Sequence, residues 1–219
     1  RPEQVGEEIA QCLAFITSVY GRFGFAFAFE LSTRPERFLG ERAQWERAER
    51  QLQQALADSG HAFQVNAGDG AFYGPKIDVH IRDALGRMHQ CATVQLDFQL
   101  PLRFELHYRD EAQQLQRPVL IHRDVLGSVE RMLGILCEHY GGRWPLWLSP
   151  RQLCVVPVAE ACHAYAARVC EHATAGGVHA AADYSDSTLN KKIRAAQLAQ
   201  FNYMAVVGER EQAAGTVSL

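Results

Sequence analysis

The sequence predicts two successive units, an α+β unit built on an antiparallel sheet and a smaller α/β unit with a mostly parallel or mixed sheet. Three observations lead there. Strand-like runs follow one another from residue 62 to 122 with no helical period between them, which argues for antiparallel pairing. After residue 150, strand and helix patterns alternate, which requires crossovers. Between these stretches lies GGRWPLWLSP, residues 141–150, a linker that places the domains at 1–148 and 149–219.

Composition supports a folded chain. Of the 219 residues, 47% are hydrophobic and 21% charged, which suits a substantial core and excludes wholesale disorder. The 22 basic and 25 acidic side chains leave a formal charge of −3, so a nucleic acid must be met by a local basic face. No uninterrupted apolar run approaches the roughly 18 residues of a membrane span, and no membrane partner is expected. The opening RPEQVGEEIAQ does not read as a secretory signal. A first residue other than Met and an abrupt end at VSL predict a fragment. The six cysteines contain no CxxC pair and read as buried thiols of a reducing compartment.

In the first unit, residues 3–20 place Val5, Ile9, Cys12, Leu13, Ile16 and Tyr20 on one helical face. GFAFAFELS, residues 24–32, alternates as a strand. After STRPERFLG a second amphipathic helix turns Trp45, Ala48, Leu52, Ala55 and Leu56 inward and ends at Gly60. HAFQVN, PKIDVHIR, RMHQCATVQLDF, LRFELHYR and RPVLIH then read as strands, with Asp83-Ala84-Leu85-Gly86 as a tight hairpin turn. GSVERMLGILCEHY, residues 127–140, reads as a buried helix, apolar on most sides. The second unit reads as strand QLCVVPV, an Ala-rich helix over 159–174, strand VHAAAD, a helix over 188–200 and strand YMAVVG.

Several segments carry candidate chemistry. In GDGAFYGPKID, residues 68–78, the spacing does not fit a phosphate-binding GxxxxGK[ST] loop, and a glycine turn feeding a strand is the simpler reading. The strand after it sets Lys76, Asp78, His80 and Arg82 opposite Ile77, Val79 and Ile81. In the partner strand Thr93, Gln95 and Asp97 share a face. Such a face is either a polar substrate platform or a solvated surface. None of the nine histidines forms HxxxH or zinc-finger spacing. His122 stands at a strand end before a helix, where a side chain faces a cleft, although a lone histidine there reads as structural on its own. Ser128 and Arg131 lie three residues apart on one face of that helix near its N-terminus, a place suited to anions, or simply an ordinary cap with a surface arginine.

The wording of longer blocks goes further. FELSTRPERFLG, GDGAFYGPKIDVHIRDALGR, HQCATVQLDFQLPLRF, RPVLIHRDVLGSVERMLGIL, WPLWLSPRQ and LNKKIRAAQLAQFNY closely resemble, in this order, the threonyl-tRNA synthetase family in its eukaryotic cytoplasmic form. The resemblance implies part of a class II catalytic core, an antiparallel sheet flanked by helices, followed by part of an α/β mixed-sheet anticodon-binding domain. It implies ATP-dependent activation of threonine and transfer to the 3′ end of tRNA(Thr), with Mg2+ accompanying ATP. It further implies a homodimer at full length and a cytoplasmic, alternatively mitochondrial, location.

In that family a zinc ion held by one cysteine and two histidines binds threonine through its amine and its hydroxyl, and valine has no hydroxyl to offer. His122 matches the last of these ligands. The other two belong to segments that would precede Arg1, as does the arginine of motif 2, and Cys91 is not a ligand. Arg131 matches the arginine that packs on adenine and contacts ATP phosphate; with Lys76 it is the catalytic candidate. Tyr73 and Lys76 resemble pocket-lining residues, Thr93 and Gln95 match positions near ribose and threonine, and Ser128 stands near the nucleotide. Gln90 resembles an ATP contact, yet its strand parity is opposite to that of Thr93 and Gln95, and it points the same way only if a bulge intervenes. Glu211 aligns with an anticodon-reading acid, and Asp186 stands where some members place Asn. Asp124 occupies a position that is usually small. Residues 1–219 alone are expected to be inactive. The alternatives are a truncated, non-catalytic tRNA- or partner-binding chain and, more weakly, a sister synthetase for another amino acid.

Overall fold

The computed structural model describes residues 1–219, which divide into two compact units, Arg1–His139 and Tyr140–Leu219. The division falls at 139/140, where the sequence reading places it at 148/149, and it groups residues 140–148 with the second unit. There the Trp144 carbonyl accepts from Asn202 Nδ2 at 2.8 Å and the Leu146 carbonyl from Gln152 Nε2 at 2.7 Å.

The first unit begins with α1 (Val5–Phe23), β1 (Phe27–Ser32) and α2 (Arg42–Asp58). The buried residues of both helices are the ones their periodicity picks out. β1 starts three residues later than its alternation suggests, because Gly24 closes α1 by donating to the Tyr20 and Gly21 carbonyls. Next come β2 (Phe63–Asn66), β3 (Lys76–Arg82), β4 (Met88–Asp97), α3 (Gln99–Arg103), β5 (Tyr108–Arg109), β6 (Leu115–Gln116), β7 (Leu120–Asp124) and α4 (Val129–Tyr140).

The main sheet runs β2-β1-β3-β4-β7, antiparallel except at one edge. β2 pairs parallel to β1, since α2 carries the chain across between them. Ile77, Val79, Ile81, Val94 and Leu96 are fully buried beneath α1 and α2, together with Trp45, Leu52 and Leu56. Each such side chain contributes roughly 1.5–3 kcal/mol of burial before entropy is counted. The opposite face is polar. Lys76 lies opposite Gln95, Asp78 opposite Thr93, and His122 opposite Gln95 on the far side.

Two expectations, one strand and one helix, are corrected. LRFELHYR is not a strand: Asp97 Oδ1 accepts from the amides of Gln99 and Leu100 at 2.7 and 3.0 Å and starts the one-turn helix α3. Only Tyr108–Arg109 remains extended, in a separate two-stranded hairpin with β6. The 127–140 helix is not buried on most sides either. Met132, Ile135 and Leu136 face the core, while Val129, Leu133 and Cys137 are exposed. A single i, i+3, i+4 stripe is all that one sheet contact can cover.

The second unit contains β8 (Leu153–Pro157), α5 (His163–Ala175), β9 (Ala180–Ala182), α6 (Leu189–Leu198), β10 (Tyr203–Val207) and α7 (Glu209–Ala214). Its strands run parallel in the order β10-β8-β9, and an antiparallel bridge between Val206 and Ser218 makes the sheet mixed. Val155, Ala205 and Val207 pack with Tyr165 and Ala166 of α5, and Cys154 and Val156 pack with Ala196 of α6. Alternation along buried strands thus feeds two helical layers.

Candidate active site

The polar face of the main sheet gathers most of the residues singled out from the sequence. Its first wall is the 68–75 segment, which is fastened to the chain around residues 32–39. Gly70 donates to the Thr33 carbonyl at 2.7 Å, and Leu39 donates to the Phe72 carbonyl at 2.8 Å. Gly74 lies directly on β4, where any Cβ would fall within the Leu96 carbonyl group. This close approach seats Tyr73 over the sheet, and its hydroxyl donates to Gln95 Oε1 at 2.8 Å. Tyr73, Gln95 and His122 line one cavity of about 450 Å³ together with Leu39, Phe72, Asp97, Gln99, Leu100 and Arg103. A larger hollow of about 600 Å³, between Val5, Arg47, Phe98 and Arg117, contains none of the expected site residues.

His122 Nε2 stands 2.9 Å from Asp97 Oδ2. Asp97 therefore serves two groups, α3 through one oxygen and the imidazole through the other. A zinc centre of one cysteine and two histidines does not fit the residues present. His122 is the single cysteine or histidine lining the cavity, and Cys91 is buried in β4.

Beside the cavity the hub is Asp78, which the alternation placed on the polar face but did not mark as central. Its side chain is 2% exposed. Oδ2 meets Lys76 Nζ at 2.6 Å and accepts from Ser32 Oγ at 3.3 Å. Oδ1 accepts from Gln90 Nε2 at 2.6 Å and Thr93 Oγ1 at 2.9 Å. Burial pulls the Lys76 pKa down, but the hydrogen bond and charge of Asp78 outweigh it and hold the ammonium above its ordinary value. Glu30, Asp69 and Asp78 bring carboxylate oxygens within 4.8 Å of one another, and Lys76 bridges two of them.

Gln90 reaches Asp78 because the register of β3 and β4 slips between Val79 and His80. Val79 pairs with Ala92 and His80 with Gln90, so Cys91 is the extra residue. The condition for Gln90 to share a face with Thr93, a bulge, is therefore met. The bulge also turns the Gln90 carbonyl toward Arg131, whose Nη1 donates to it at 3.4 Å. Ser128 Oγ accepts from the Arg131 amide at 3.1 Å and caps α4.

In the second unit Glu211 is likewise engaged. Oε2 accepts from the Gly208 amide at 2.9 Å and Oε1 from Ser218 Oγ at 3.0 Å. Hydrogen bonds from its own amide, from Ser218 and from Gly208 hold the carboxyl below the usual range. Asp186 is exposed. Lys192, not singled out from the sequence, is buried and donates through Nζ to the carbonyls of Pro157 and Asp183 at 3.3 and 3.2 Å. A lysine inside an α-helix gives no sequence signal for such a role.

Comparison with known proteins agrees with this arrangement. The family described as tRNA synthetase class II core domain (G, H, P, S and T) matches residues 1–140, and the anticodon binding domain family matches residues 152–219. Threonine--tRNA ligase 2, cytoplasmic, is 58% identical in Mus musculus and 57% in Homo sapiens. Each match covers 99% of this chain. The chain spans 28% and 27% of the length of these two relatives. A crystal structure of the RNA binding domain of threonyl-tRNA synthetase from Cryptosporidium parvum Iowa II superposes with a TM-score of 0.93 at 51% identity. That match covers 99% of this chain and 55% of the other. The chain belongs to the class II aminoacyl-tRNA synthetases, with the core domain at residues 1–140 and the anticodon-binding domain at residues 152–219.

Proposed function

We propose that this chain serves a threonine–tRNA ligase, which joins threonine to AMP at the expense of ATP and then passes the threonyl group to the 3′ end of tRNA(Thr). The observation that carries the reading is the single cavity of about 450 Å³ where Tyr73, Gln95 and His122 meet on the polar sheet face. The names of the similar proteins support the choice of amino acid.

In the first step the threonine carboxylate attacks the α-phosphorus of ATP and pyrophosphate leaves. In the second a ribose hydroxyl of the tRNA attacks the threonyl carbonyl and AMP leaves. Positioning and charge neutralisation dominate such chemistry. Tyr73 and Gln95, coupled by their hydrogen bond, orient threonine. Thr93 and Gln90, both held by Asp78, border the ribose and nucleotide. Arg131 stacks on adenine and meets phosphate, with Ser128 at its helix cap, and Lys76 adds positive charge to the same face. Mg2+ accompanies ATP. His122, oriented by Asp97, would be the one donor these residues offer to a zinc ion, which they do not hold by themselves. Glu211 is assigned to the anticodon, and homodimeric assembly and a cytoplasmic location belong to the same reading.

One observation favours a second reading for the isolated 219 residues: with His122 as the lone donor, they would bind tRNA without activating threonine. Charging of a tRNA(Thr) transcript with radiolabelled threonine separates the two. The natural protein carrying these residues is expected to charge it and to reject valine. Tight tRNA binding with no charging would replace the enzyme reading by the binding one.

A further inference from the structure

We propose that Asp124 is a positioning residue for Arg131, acting through the loop that joins β7 to α4; this rests on the assignment of Arg131 to ATP above. Arg131 reaches the Gln90 carbonyl only because α4 begins where it does. That starting point is set by residues 124–128, and the structure shows how each is held. Asp124 Oδ1 accepts from the Leu126 amide at 3.1 Å and from the Gly127 amide at 2.9 Å. The Val125 carbonyl accepts from the Tyr20 hydroxyl at 2.7 Å. Gly127 has φ +69° and rests on the bulge, where a Cβ would stand 3.0 Å from the Cys91 carbonyl oxygen. Ser128 caps the helix through the Arg131 amide.

Among these restraints Asp124 is distinctive. Tyr20 and Gly127 are bound up with the core and the bulge, so changing either disturbs packing. Asp124 is exposed, and its carboxylate accepts its hydrogen bonds from the two loop amides. Its truncation therefore releases the loop without opening a cavity. The nucleotide pays for ordering the loop when it binds, so ATP affinity falls while the chemical step, once ATP is seated, is unchanged.

The test is threonine-dependent ATP–pyrophosphate exchange by the natural protein, with ATP and threonine varied separately. Asp124→Ala is expected to raise KM for ATP about 5- to 30-fold, the loss of roughly two hydrogen bonds, with kcat and KM for threonine unchanged. Asp124→Asn retains the acceptor oxygen and is expected to restore KM for ATP. Hydrogen exchange of the 124–131 segment, followed by mass spectrometry, should accelerate in Asp124→Ala and not in Asp124→Asn. An unchanged KM for ATP in Asp124→Ala, or an Asn variant as impaired as the Ala variant, overturns the proposal and leaves the enzyme reading standing. Absence of exchange in the unmodified protein overturns both.

Discussion

Gly74→Ala probes the packing that builds the cavity wall. A Cβ at this position would fall within the Leu96 carbonyl group, 2.8 Å from its carbon. Leu96 is fully buried in β4 and cannot yield, so the 71–75 segment must lift away. Lifting breaks the bond from the Leu96 amide to the Pro75 carbonyl, 3.1 Å, and the one from Tyr73 to Gln95, 2.8 Å. Two hydrogen bonds at about 1 kcal/mol each, with overpacking strain of similar size, amount to about 3 kcal/mol. For a unit of this size that is a fall of roughly 10 °C in Tm. Urea or thermal unfolding of the 219-residue chain resolves it, with the second unit as internal reference. Gly21→Ala is the control: it lies within α1 with open space around it, and is expected to stabilise by up to about 1 kcal/mol. A Gly74→Ala protein as stable as its parent would refute the close approach.

Other substitutions test separate parts of the structure. Lys192→Met leaves the buried Pro157 carbonyl and the half-buried Asp183 carbonyl without this donor and should destabilise the second unit alone by about 1–3 kcal/mol in denaturant unfolding; coupled loss in both units would contradict it. Asp83 is held well below the usual carboxylate range: burial pushes its pKa up, and hydrogen bonds from His89, Arg87 and the Leu85 and Arg87 amides outweigh that effect. Because its folded pKa is depressed, the stability it contributes is present above the unfolded value, about 3.9, and is lost as pH falls toward the folded one. An acid titration of stability should therefore be shallower below about pH 5 in Asp83→Asn, and an unchanged slope would dismiss Asp83 as its source. In the natural protein, His122→Ala should lower zinc content and threonine activation together, as read by metal analysis and exchange, and unchanged zinc would remove His122 from the ligand set.

What could be read from the sequence is what side-chain spacing controls directly. The inward faces of α1 and α2 needed only the 3.6-residue period, and the opposition of Lys76, Asp78, Thr93 and Gln95 needed only the two-residue period. The bulge at Cys91 is not set by spacing: the period puts Gln90 and Thr93 on opposite faces, and only the resemblance of Gln90 to an ATP contact raises the condition that a bulge join them. Spacing is silent where one side chain redirects the backbone. Asp97 converts a run of strand formers into α3, and α2 makes β2 parallel. The burial of Asp78 and Lys192, and the capping by Ser128 and Glu211, depend on partners distant in sequence or on loop conformation.

The central claim is that the polar sheet face activates threonine with ATP, and exchange between pyrophosphate and ATP measures that step directly. The natural protein is expected to show exchange with threonine, none with valine, and a loss of at least about 100-fold in Arg131→Ala, in line with removal of a transition-state contact. Exchange that follows a different amino acid, or that survives Arg131→Ala intact, would contradict the assignment.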